Sequence, residues 1–166
     1  MRYLSIGLLA VIASMTAYSS QQQSASVGQK LPAADECLRY ESVMMGELVD
    51  QAGTKLGLRT VGRSETTLGF TIFKASDGVR LTAKSGEFGS SSEAKRYFDL
   101  RLSRCLKILK RGRKKEKGGR TVGDRAEVLD PGATVLTVVW TSGSWFHEIS
   151  SSSSRDSLEL ERCITD

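Results

Sequence analysis

Residues 135–150 read VLTVVWTSGSWFHEIS, and this stretch decides the fold. Its first seven residues are apolar on both faces, which predicts a central strand in the interior of a sheet. Ser142 and Gly143 predict a turn. Beyond it, Trp145, His147 and Ile149 alternate with Phe146, Glu148 and Ser150, which is the pattern of a strand. Two strands joined by so short a turn predict an antiparallel arrangement.

A second pair of alternating runs lies earlier in the chain. Leu68, Phe70 and Ile72 share one face of a run at 68–75, and a similar run at 79–84 follows the Asp77–Gly78 dipeptide. Such a turn between alternating runs predicts a β-hairpin. Because each run has one polar face, we expect an antiparallel sheet that is covered on one side. A further alternating run at 122–128 brings the expected sheet to about five strands.

Apolar residues at helical spacing predict three helices, at 33–51, 90–110 and 155–163. The second helix has the clearest pattern, because Ser90 and Glu93 form a capping box before a long apolar stripe. Ser154 is the expected N-cap of the third. The predicted fold is therefore α+β: about five antiparallel strands, two main helices packed on one face, and a short C-terminal helix.

The length of 166 residues corresponds to one domain. With 39% apolar and 26% charged residues, the composition excludes collagen-like, coiled-coil and wholly disordered proteins. Residues 1–19 combine Arg2, an uncharged apolar run and small residues before the expected cleavage site, which predicts a secretory signal peptide. We expect a flexible leader at 20–31 and a single α+β domain at 32–166.

The signal peptide predicts a secreted or periplasmic protein, with no transmembrane span in the mature chain. The alternative is that the N-terminal segment is retained as an anchor. Its apolar run is shorter than the roughly 20 residues that a membrane-spanning helix needs.

Positive charge is concentrated in one part of the sequence. Residues 95–120 hold 12 basic and 2 acidic residues, whereas residues 121–166 hold 3 basic and 8 acidic ones. Such a cluster predicts contact with an anionic envelope component, with no specific nucleic-acid readout because the cluster lacks aromatic stacking groups. Solvation of a helix end and loop is the structural alternative. The candidate anion-binding residues are Lys107, Lys110, Arg111, Arg113, Lys114, Lys115, Lys117 and Arg120.

The three cysteines are far apart and form no C-x-x-C pair. An exported chain meets an oxidising compartment, so one disulfide is expected, and three pairings are open. We favour Cys37 with Cys163, because Cys105 falls on the apolar stripe of the second predicted helix.

No catalytic motif, metal-ligand set or cofactor-binding motif is evident in the sequence, and no cofactor is expected. The alternative functions are a secreted hydrolase and an accessory or inhibitory subunit. The hydrolase would use His147, the only histidine, with Ser144 or Cys105. The accessory subunit would dock on a partner protein through the hairpin that carries Trp140, Trp145 and Phe146.

Several short motifs are spread over residues 85–162. They are SSEA at 91–94, VGDR at 122–125, VVWT at 138–141, Gly143, Phe146, the pair Ile149 and Ser150, and LELE at 158–161. This region resembles small exported bacterial proteins of unassigned function. The resemblance implies an α+β domain of the bacterial envelope or of the secreted fraction, and it assigns no catalytic residue.

Overall fold

The computed structural model describes residues 40–61, 66–116, 118–133 and 136–164. They form one seven-stranded sheet whose neighbouring strands are all antiparallel, in the order β1-β2-β3-β7-β6-β5-β4. The strands are β1 (Tyr40–Val49), β2 (Thr67–Ala75), β3 (Arg80–Glu87), β4 (Lys107–Lys115), β5 (Thr121–Leu129), β6 (Thr137–Ser142) and β7 (Trp145–Ser151). The helices are α1 (Gln51–Lys55), α2 (Ser91–Ser103) and α3 (Ser154–Ile164).

Helices α2 and α3 pack on opposite faces of the sheet. Neighbouring residues of β6 illustrate this, because Val139 belongs to the core beneath α2 and Val138 to the core beneath α3, and both are fully buried. The predicted fold is therefore wrong: the sheet has seven strands rather than about five, and it is covered on both faces rather than one. Of the two main helices predicted at 33–51 and 90–110, only the second packs on the sheet as a helix, as α2. The sheet is covered on two sides, which is why its interior strand β6 lacks a polar face.

The core beneath α2 is rich in aromatic residues. Tyr97 of α2 packs against Phe88 and Phe146, with ring centroids 5.1 Å and 4.7 Å apart. On the other side, Leu160 of α3 covers Phe73, Leu81, Val138, Trp140 and Ile149. The β6–β7 hairpin lies between these two cores, so the predicted interior strand and the turn at Ser142 and Gly143 are confirmed.

The helix predicted at 33–51 is wrong over the residues that the structure describes. Residues 40–49 form strand β1, which pairs with β2, while residues 33–39 lie outside the described part. Apolar side chains that imitate a helical stripe are largely exposed on both faces of this outer strand. Gly46 fits the pairing, because a Cβ at this position would lie 2.7 Å from the ring of Phe70 on β2.

The helix predicted at 90–110 is confirmed only as far as Ser103. Ser90 Oγ accepts a hydrogen bond from Glu93 N (3.2 Å), and Glu93 in turn accepts one from Gly89 N (3.0 Å). Leu102 is the last buried residue of the stripe, Cys105 is partly buried, and Leu106 and Leu109 are exposed. Beyond the helix, the backbone of Leu106 already bonds to Leu129 of β5, and the chain continues as strand β4.

The β2–β3 hairpin, strand β5 and helix α3 lie where the sequence predicts them. The β2–β3 hairpin turns at Asp77 and Gly78, and the latter has a positive φ of 89°. The predicted helix at 155–163 is α3, and Ser153 rather than Ser154 supplies its cap, because Ser153 Oγ accepts from Asp156 N (3.3 Å). Ser154 Oγ instead accepts from Leu136 N (3.4 Å).

Candidate functional site

Strand β4 carries six of the eight candidate anion-binding residues. It was predicted as a helix end followed by a loop, and it is instead the last strand of the sheet, paired on one side with β5. No strand of the described residues pairs with its other side. All residues of β4 except Lys114 are exposed, so the strand presents a row of cations along one edge of the molecule.

The exposed cations of β4 fall into two groups. Arg111 forms an ion pair with Asp99 of α2 (3.0 Å), and Arg113 forms one with Asp124 of β5 (2.8 Å). Lys107, Lys110 and Lys115 have no ion-pair partner among the described residues. These three ammonium groups are the part of the strand that is most available to an external anion.

Lys114 is buried and plays a different role from its neighbours. Its Nζ lies 2.8 Å from Glu161 Oε1 of α3 and 5.0 Å from the centre of the Trp140 ring. A cation in this position is both paired and stacked on an aromatic face. Lys114 therefore attaches β4 to α3, and we remove it from the anion-binding set.

Glu161 is the centre of this attachment. Its carboxylate also accepts hydrogen bonds from Arg125 Nε (2.7 Å) and Nη2 (2.6 Å). Burial alone would raise the pKa of Glu161, but the Arg125 hydrogen bonds and the Lys114 charge outweigh burial and lower it. The carboxylate is thus ionised and compensates two cations at neutral pH.

Two of the candidate residues lie beyond β4. Arg120 forms a two-pronged pair with Glu116 across the turn between β4 and β5, with contacts of 2.5 Å and 3.0 Å. Both groups are at the surface, and the pair reduces the net charge of the turn. Lys117 lies outside the described residues.

His147 lies beneath neighbouring aromatic rings on the α3 face of the sheet. Its ring stacks on Trp140 (centroids 4.9 Å apart) and on Trp145 (6.0 Å), and its buried Nδ1 has no hydrogen-bond partner. Burial, with a smaller effect of the Lys114 charge, lowers the pKa of His147 to about 4. The imidazole is therefore neutral at physiological pH.

The structure does not assemble the nucleophile and base of the hydrolase alternative. Cys105 is a free thiol in the core beneath α2, whereas His147 stacks on Trp140 of the core beneath α3. The sheet separates the two. Ser144 Oγ contacts Glu87 Oε1 (3.4 Å) rather than the imidazole. The predicted pairing of Cys37 with Cys163 remains a prediction, because Cys37 lies outside the described residues.

The hairpin of the accessory-subunit alternative presents little aromatic surface. Trp140 and Phe146 are fully buried, on opposite faces of the sheet, and only Trp145 is partly exposed. Exposed apolar side chains lie instead on β1, among them Met44 and Met45, and around the start of β4. Strand β1 is not recognisable from the sequence, because apolar residues lie on both of its faces and so do not recur with a period of two.

Comparisons with known proteins found no match among family models, curated proteins or solved structures. Within the described ranges, no His, Cys, Asp and Glu side chains form a group of three or more that would hold a metal ion. None of the helices in those ranges has the length and apolar character to cross a membrane.

Proposed function

We propose that this chain is an exported, non-catalytic binding protein that contacts an anionic component of the cell envelope through strand β4. The observation that carries the proposal is the exposed row of cations along this strand, in which Lys107, Lys110 and Lys115 have no ion-pair partner among the described residues. Cations at such density attract anionic surfaces and release counterions on contact.

The test is sedimentation with vesicles that contain phosphatidylglycerol, compared with neutral phosphatidylcholine vesicles. We expect binding only to the anionic vesicles and a steep loss of binding as salt rises. Each lysine near an anionic surface contributes about 1 kcal/mol, so replacing Lys107, Lys110 and Lys115 together by Gln should weaken binding by about 100-fold.

A matched control removes three exposed cations elsewhere, by replacing Lys55, Lys74 and Arg80 with Gln. This variant should bind nearly as well as the parent chain, because the removed charges lie far from β4 in the sheet order. Equal losses in the two variants would mean that only net charge matters. Affinity that is insensitive to salt would contradict the proposal.

Export is tested separately. The proposal expects the mature protein to lack residues 1–19, which the N-terminal sequence or intact mass of the protein from the extracytoplasmic fraction will measure. A chain that keeps Met1 and stays inside the cell would rule out the envelope partner. It would not contradict the exposed positive charge of β4.

A further inference from the structure

The outer side of β1 is the second open edge of the sheet. No strand of the described residues pairs with it. Five apolar side chains of β1 are between 41% and 73% exposed: Val43, Met44, Met45, Leu48 and Val49. Outer strands that lack charges, prolines or a cover are templates for pairing with another chain. Strand β1 contains no cation, and its Glu41 is exposed.

The outer side of β4 complements that of β1 in length and charge. Strand β4 has nine residues, of which five are exposed cations and none is acidic, and β1 has ten residues, among them the exposed Glu41 and no cation. Apolar residues are also exposed around the start of β4, namely Leu106 just before it and Ile108 and Leu109 within it. Strands of similar length and opposite charge satisfy each other's open backbone groups without like charges facing one another.

We infer that copies of this chain associate edge to edge, with β1 of one copy adding to β4 of the next. The inference goes beyond the proposed function, because it names a second partner for β4, which is the acidic, apolar β1 of another copy. Pairing β4 with β4 would bring five exposed cations of one copy against five of the other, which opposes association. Pairing β1 with β1 would leave the cations of β4 uncompensated.

Two charge variants test the arrangement. The first, Met45→Lys with Val49→Lys, adds cations to exposed positions of β1. The second, Lys107→Glu with Lys110→Glu, adds acids to exposed positions of β4. The matched control is Leu56→Lys with Val61→Lys, which makes the same kind of exposed substitution outside both edges. Circular dichroism and thermal unfolding establish that all three are folded.

Sedimentation velocity over a wide concentration range supplies the readout. We expect the parent chain and the control to associate as concentration rises, and each edge variant alone to do so at least about tenfold more weakly. A mixture of the two edge variants should recover association, because each supplies the edge that the other needs. Recovery on mixing is specific to a junction between unlike edges.

Three results would overturn the inference. The first is a parent chain that stays monomeric at every concentration, as when another segment of the same chain covers β1. The second is a β4 variant that still associates alone, which indicates β1 joined to β1. The third is a pair of variants that do not associate when mixed. Vesicle binding separates these failures from those of the proposed function, since a monomer that binds anionic vesicles refutes only the inference. An assembling chain that ignores vesicles refutes only the envelope partner.

Discussion

The two outer strands of the sheet, β1 and β4, differ in how they are attached to the rest of the molecule. Strand β4 is linked to both helices along its length, because Arg111 pairs with Asp99 of α2 and Lys114 pairs with Glu161 of α3. Strand β1 is attached near its ends. Tyr40 Oη contacts Asp156 (3.3 Å) and Glu159 (3.1 Å) of α3. Asp50, just after β1, accepts hydrogen bonds from Tyr97 of α2 and from Arg104, which follows α2.

This difference shows that charge on an outer strand has two separable roles. A cation that turns inward, like Lys114, fixes the strand to a helix, whereas cations that face solvent discourage unwanted pairing and attract anions. Strand β1 has few charged side chains, whether turned inward or facing solvent. Its attachment depends mainly on backbone pairing with β2. We therefore expect the middle of β1 to be less stable than β4 and more responsive to a partner.

The largest expected effect comes from Glu161→Ala, which tests how β4 is attached. It leaves the buried Lys114 without its carboxylate and removes the main partner of Arg125. Loss of one member of a buried ion pair costs about 3 kcal/mol or more, which urea unfolding will measure. Combining Glu161→Leu with Lys114→Met should restore part of this loss. A single variant as stable as the parent would show that β4 is held by pairing alone.

Acid should destabilise the fold through His147, which lies beside the same attachment. Its folded pKa of about 4 is below the ordinary value of 6.5, so the unfolded chain binds a proton that the folded chain excludes. Stability is then lost as pH falls from about 7 toward 4, by about 2 kcal/mol between pH 7 and pH 5. In the variant His147→Phe, the free energy of unfolding measured in urea should depend much less on pH over this interval. If the unfolding free energy of that variant falls with pH as steeply as that of the parent, other groups cause the acid sensitivity.

Hydrogen exchange compares the two outer strands directly. In dilute solution we expect the inward amides in the middle of β1 to exchange at least about tenfold faster than those of β4, because only β4 is fixed to both helices along its length. Raising the protein concentration should reduce the difference in exchange rate between the two strands if β1 of one copy pairs with β4 of another. Equal protection at low concentration would mean that another segment already covers β1.

The smallest effect is expected at the turn between β4 and β5. Glu116→Gln breaks the exposed pair with Arg120 and should leave the urea unfolding midpoint unchanged. It should also slightly strengthen binding to anionic vesicles, since it removes a negative charge beside the cations. A clear loss of stability would show that this surface pair helps to hold β4.

The interior of the fold could be predicted because buried apolar side chains recur at regular spacing in the sequence. Strands β6 and β7, the β2–β3 hairpin and the capped start of α2 are all recognisable from side chains that must face a core. The outer strands lack such a pattern. Leu106 and Leu109 continue the stripe of α2 at helical spacing although both are exposed, so the helix was extended into β4.

The site was predictable in composition and not in detail. Clustering of Lys and Arg indicated the region, but the inward direction of Lys114 depends on Glu161 and Trp140, which are distant in sequence. The position of His147 relative to Cys105 likewise depends on which face of the sheet each helix covers. Tertiary contacts of this kind have no local signal.

The odd number of strands in the described sheet has a geometric consequence. Because every neighbouring pair is antiparallel, the first and seventh strands in the order, β1 and β4, run in the same direction. Copies repeated by pure translation would therefore meet through a parallel junction. A half turn between successive copies gives the antiparallel junction, which is the slightly stronger kind, and places α2 on alternating sides. A repeat of two copies along the assembly is the signature to look for.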